Sequence, residues 1–176
     1  MKGLMRTLGV VCVVLGVAAL KPAAQSVSIQ AEMLKDWSNL KDTMDKIANE
    51  MPEDKFTYKS TPPQRDYAAQ VMHIATANVG FLQTIGGKAA APMIDPKATK
   101  KADVIKAMDA SFDYGTALIN EQTDQSMLET VQAQFLGPST RGRVFNFLIG
   151  HTWDIYGQMA VYLRLNGGVP PASQRP

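Results

Sequence analysis

Cysteine and histidine are scarce in this chain: its 176 residues include one cysteine, Cys12, and two histidines, His73 and His151. Cys12 lies in an N-terminal apolar run. Without that run the chain has no disulfide, no thiolate nucleophile and no cysteine metal ligand, so stability must come from packing. A surplus of charge of one sign is also missing. Eighteen basic residues face sixteen acidic ones, and Lys2, Arg6 and Lys21 all fall in the first 24 residues, which hold no acid. The remainder carries fifteen basic and sixteen acidic residues, which excludes a basic footprint for nucleic acid. Long apolar runs are lacking too. Residues 8–20 (LGVVCVVLGVAAL) form an unbroken stretch of 13 apolar or glycine residues, short of the roughly 20 that cross a bilayer.

What stands around that run has a recognisable order. A positive start (MKGLMR) precedes it and small residues (KPAAQ) follow it, as in a secretory signal peptide. The expectation is a signal peptide over residues 1–24 and an exported protein, periplasmic or extracellular, with no membrane association after cleavage. Residues 25–176 then form one domain of ordinary size.

Helical periodicity dominates that domain. Ile29, Met33, Trp37, Leu40, Met44, Ile47 and Met51 recur every three or four residues, the stripe of an amphipathic helix ended by Pro52. PEDKFTYKSTPPQ, with three prolines, reads as a loop. Asp66 is placed to cap a second helix, apolar nearly all round over residues 68–85, with Gly86 and Gly87 as its stop. Residues 88–97 read as another loop. Thr99 is placed to cap a third helix carrying Val104, Ile105, Met108, Phe112, Leu118 and Ile119. Residues 123–137 read as a connection with a short extended piece at TVQAQF. Pro138, Ser139 and Thr140 read as the start of a fourth helix that runs to Leu165 and stops at Asn166, Gly167 and Gly168. The fold class expected is all-α, a four-helix bundle.

Each histidine falls at the middle of a mostly apolar helix, His73 in the second and His151 in the fourth. Inward-facing side chains on facing helices are how bundles build metal sites, so the two could meet. A buried histidine satisfied by a carbonyl, hydroxyl or water is the plainer reading. On the fourth helix Ile155 lies one turn from His151, about 40° round; Gln158 lies two turns on, about 20° round, and Asp154 about 60° to the other side. Histidines at i and i+4 would make a two-point metal clamp, but here the i+4 position is isoleucine. Trp153, Tyr156 and Tyr162 read first as packing or interface residues. No nucleophile stands out, since neither Ser111 nor Ser126 has a base beside it.

HTWDIYGQMAVYLRLNGGVPPAS (residues 151–173) resembles the last helix and tail of the DinB/YfiT-like superfamily. VMHIATANVGFL (residues 71–82) is similar to that family's H-I-A-x-A-N stretch. The opening helix with Trp37 and the S-T-P-P loop also fit, so the resemblance covers nearly all of residues 25–176. It implies an up-down-down-up four-helix bundle, often dimeric, with a zinc or nickel ion held by one histidine of the second helix and two of the fourth. Carried over, His73 and His151 match two of these ligands, and Ile155 stands at the third. The resemblance also implies chemistry of the metal-dependent thiol-transferase or isomerase kind. Three readings follow: an exported DinB-like protein with a degenerate metal site, binding a small molecule or a partner without metal catalysis; a metal-dependent thiol transferase or hydrolase using His73, His151 and Asp154, with Gln158 behind them; or a structural protein in which both histidines are satisfied core residues. The first is the expectation here, with a homodimer allowed.

Overall fold

The computed structural model describes residues 27–174, so the expected signal peptide lies outside the described residues. Helix α1 spans Ile29–Glu50. The Ser28 hydroxyl caps it by accepting from the Ala31 N–H at 3.3 Å. Most of the stripe read from the spacing is buried, with Trp37, Leu40, Met44 and Ile47 all inside, but its first member, Ile29, is exposed. At its far end, two orphan carbonyls find a donor from another helix. Lys101 Nζ donates to Asn49 O at 2.8 Å and Met51 O at 2.7 Å, which satisfies acceptors that a helix end leaves open.

Helix α2 spans Tyr67–Leu82, and the Asp66 carboxylate accepts from Ala69 N at 2.7 Å as its cap. Helix α3 spans Lys101–Asn120, α4 is the single turn Asp124–Met127, and α5 spans Arg141–Leu165. Between α4 and α5 stand two antiparallel strands, β1 (Thr130–Ala133) and β2 (Gly137–Thr140), in the register Thr130 to Thr140 and Ala133 to Gly137. Among the described residues the fold is therefore mostly helical, with five α-helices and a small two-stranded sheet. Of the long helices, α1 and α2 each pack on both α3 and α5.

Three local expectations are corrected. Thr99 does not cap α3; the helix begins after Lys100, which makes no side-chain cap bond. Lys101, its first residue, is held instead by the α1 carbonyls. Gly86 does take a left-handed φ of 71°, but α2 has already ended at Leu82, and Thr84 and Ile85 continue in turn bonds. Pro138 and Ser139 belong to β2, and only Thr140 caps α5, accepting from Arg143 N at 3.2 Å. Proline is tolerated there because the sheet has two strands and so two edges. The connection before it holds more structure than the sequence suggested. Thr123 and Ser126 form a capping box around α4.

Trp37 is fully buried at the packing of α1 on α3. Its indole N–H donates to Phe112 O at 2.9 Å, and its ring tilts against Phe112 at 5.0 Å and Phe145 at 6.2 Å between centroids. A Cβ at Gly115 would lie 2.3 Å from Trp37 Cζ2, so α3 approaches α1 to a distance only glycine allows there. At the other side Arg141 ties three segments together. It donates to Ile85 O at 3.0 Å and to Ser126 O at 3.3 Å, and it pairs with Glu129. The end of α5 is closed as expected: Gly167 takes φ 79°, and Gly168 N donates back to Leu163 O at 2.9 Å.

Candidate functional site

The packing of α2 on α5 brings the two histidines together. His73 and His151 stand edge to face, with centroids 5.0 Å apart and ring planes at 82°. Both are half-buried. Burial holds each imidazole below its usual range. The Arg65 charge adds to this at both rings and the partner imidazole adds at His73, while Asp154 opposes it at His151. At neutral pH the pair is therefore uncharged, and each ring offers one donor and one acceptor nitrogen.

A row of aromatic rings leads away from the pair. Phe147, one turn before His151, lies parallel to it at 6.2 Å and 2°. Phe147 tilts on Phe81 at 4.9 Å, and Phe81 on Phe135 at 5.9 Å. Phe135 sits in the hairpin turn, 92% exposed, with a left-handed φ of 61°. Leu136 N donates to Gln134 O at 2.6 Å across it, the three-residue turn that strains a side-chain-bearing residue.

On the other side of the pair runs a chain of amides. Gln70 Nε2 donates to Gln158 Oε1 at 2.8 Å, and Gln158 Nε2 donates to Asp154 Oδ2 at 2.9 Å. Gln70 is 2% exposed, and its Oε1 has no partner among the described residues. A buried carbonyl without a donor costs free energy, and such groups are uncommon.

The residues singled out from sequence thus fall into two sets. His73, His151, Asp154 and Gln158 share the α2–α5 seam. Ile155, one turn on from His151, is buried in the core, 2% exposed. Asp154 is exposed, with its carboxylate on Gln158. Among the described residues no three His, Cys, Asp or Glu side chains are grouped to hold a metal ion. Sequence reasoning missed Gln70 and Arg65. Gln70 stands three residues before His73, a spacing that places it on the same face; Arg65 sits in the preceding loop, where no period marks it.

Two clefts adjoin these elements. One of about 340 Å³ opens between the start of α2 and residues 96–99 and takes in His73 and Arg65. The other, about 470 Å³, runs from residues 93–100 along α3 and takes in neither histidine.

Solved structures that share the fold include two DinB-like proteins. A DinB-like protein from Bacillus cereus superposes with a TM-score of 0.67 at 21% identity, covering 82% of this chain and 96% of that one. A DinB-like protein from Bacillus subtilis gives a TM-score of 0.63 at 15% identity, covering 82% of this chain and 99% of that one. No curated protein matches the chain. The model of the DinB family matches residues 23–176, nearly the whole sequence, and the chain belongs to that family.

Proposed function

We propose that this protein binds a small organic ligand at the α2–α5 seam, and that its site works without the three-ligand metal centre the family resemblance implies. The observation that carries the reading is Ile155. It occupies the position of the third ligand, its side chain has no lone pair to give, and it is buried in the core. The Asp154 carboxylate, on the same helix as His151, accepts from Gln158 and is exposed. Two imidazoles alone make a weak zinc site, since catalytic zinc takes three protein ligands. The donor set therefore does not fit the group, and no step of chemistry is routed through it.

What the seam does offer is the chemistry of molecular recognition. Two uncharged imidazoles, a buried amide carbonyl in want of a donor and a row of aromatic rings that runs from the half-buried Phe147 to the exposed Phe135 suit an organic molecule with polar groups. The reading takes the four long helices as an up-down-down-up bundle, residues 1–24 as a signal for export, and residues 25–176 as the working domain, free to form a homodimer.

Equilibrium dialysis of the protein against zinc and against nickel tests it. The expected result is no stoichiometric uptake at micromolar metal. Stoichiometric binding at micromolar affinity or tighter would overturn the proposal in favour of a metal-dependent transferase or hydrolase built on His73, His151 and Asp154.

A further inference from the structure

We propose that the cleft beside His73 takes a small organic monoanion, a carboxylate, with Arg65 as its counter-ion. The cleft shares His73 with the seam but is lined by no residue of α5, so it is a second site beside the one proposed above. The cleft lies between the first turns of α2 and residues 96–99, and its volume of about 340 Å³ suits a small molecule.

Charge on the cleft walls is unbalanced. Arg65 and Lys97 both line it, and neither forms an ion pair among the described residues. The one carboxylate on the walls, Asp66, is the cap of α2, with its Oδ1 held by Ala69 N at 2.7 Å. His73 lines the same space. An anion would supply the missing negative charge, and a guanidinium presents its donors in the planar fork that matches a carboxylate.

Arg65 is also held in place. The Tyr162 hydroxyl, from α5, donates to the Arg65 carbonyl at 2.8 Å and lies 3.1 Å from Gln64 Oε1. Tyr162 is itself buried. The backbone that carries the guanidinium is thus fixed to the helix that carries His151, and less freedom is lost on binding.

The rest of the wall decides between an inorganic and an organic anion. Met72 and Ala98 line the cleft with apolar surface. A bare phosphate would leave that surface in water, whereas the carbon skeleton of an organic acid would cover it.

The test is an NMR titration of the full-length, ¹⁵N-labelled protein with benzoate, benzamide and inorganic phosphate at low salt. Benzoate is expected to shift the amides of Ala69, Met72, His73 and Ala98, and to bind at least about tenfold tighter than its neutral isostere benzamide. Arg65→Gln, checked for folding by circular dichroism, is expected to bring benzoate down to the level of benzamide, and Arg65→Lys to restore part of the difference. Equal affinities for benzoate and benzamide, or benzoate binding unmoved by Arg65→Gln, would refute the anion claim while leaving a neutral-ligand site standing. Phosphate matching benzoate would refute the organic part. No shift at the cleft amides with any probe would also refute the inference, and the metal dialysis would still judge the wider reading by itself.

Discussion

The ring of His73 meets the ring of His151 edge to face, 5.0 Å between centroids, across the seam of α2 and α5. Two imidazoles this close cannot both hold a proton cheaply, because each cation would sit beside the other and beside Arg65. Their shared preference for the neutral form makes the seam sensitive to acid.

Both folded-state values lie below the ordinary imidazole value of about 6.5. The unfolded chain therefore takes up protons first as the pH falls. Stability is fully present above about pH 6.5 and drains away as the pH drops through that value toward the native ones. Urea midpoints measured from pH 7.5 down to 5 should fall for the native protein. The double substitution His73→Gln and His151→Gln should flatten that slope. Parallel slopes for the two proteins would refute this assignment.

Ile155→His places a third imidazole where the family pattern has one. It also exchanges a buried aliphatic side chain for a polar one, at a cost of roughly 1–3 kcal/mol. The variant should melt lower than the native protein without metal, then recover on addition of zinc, as linkage requires of a ligand that binds only the folded state. Thermal melts with and without zinc check both halves. A variant that melts lower and ignores zinc would mean that the two native rings do not aim at a common point.

Gly115→Ala should be among the costly single-methyl additions in this molecule. Its new Cβ would lie 2.3 Å from Trp37 Cζ2, and that indole is pinned by its bond to Phe112 O. Overpacking of this kind costs roughly 2–3 kcal/mol. Gly80 is the internal control, since a Cβ there meets nothing within 4 Å. Gly80→Ala should be neutral or slightly stabilising, because glycine is a poor helix residue. Chemical denaturation of both variants measures the contrast.

Tyr162→Phe keeps the ring, which packs at 6.1 Å against Tyr58 and 6.3 Å against Tyr67, and removes only the hydroxyl. The loss of its bond to the Arg65 carbonyl should cost about 1 kcal/mol. It should also loosen the loop before α2. Hydrogen exchange of the amides of Gln64, Arg65 and Asp66 should speed up while the α3 amides stay unchanged.

How much of this was legible in the sequence depended on the range of the interaction that decides each feature. The α1 stripe could be read because a three-four spacing is local, and Trp37, Leu40, Met44 and Ile47 are buried as it implied. The α2 cap at Asp66 is equally local. Thr99 failed as a cap because a distant contact, Lys101 on the α1 carbonyls, settles where α3 begins. The hairpin was read only in part: TVQAQF looked extended, but its partner strand was hidden in Pro138 and Ser139, which resemble a helix start when taken alone. The meeting of His73 and His151 was foreseeable from two central positions on two core helices. The Gln70–Gln158–Asp154 chain was not, since it depends on how far α2 is slid along α5, and no spacing within one helix records that.

Thr140 is at once the last residue of β2, opposite Thr130, and the cap from which α5 starts. No free linker separates strand from helix, so the hairpin works as an index stop for the helix that follows. One residue inserted between them would turn every α5 side chain by about 100° and advance it by about 1.5 Å. His151 would then swing out of the seam and another residue would face His73. The little sheet, though remote from the imidazoles, sets the angular phase on which their encounter depends.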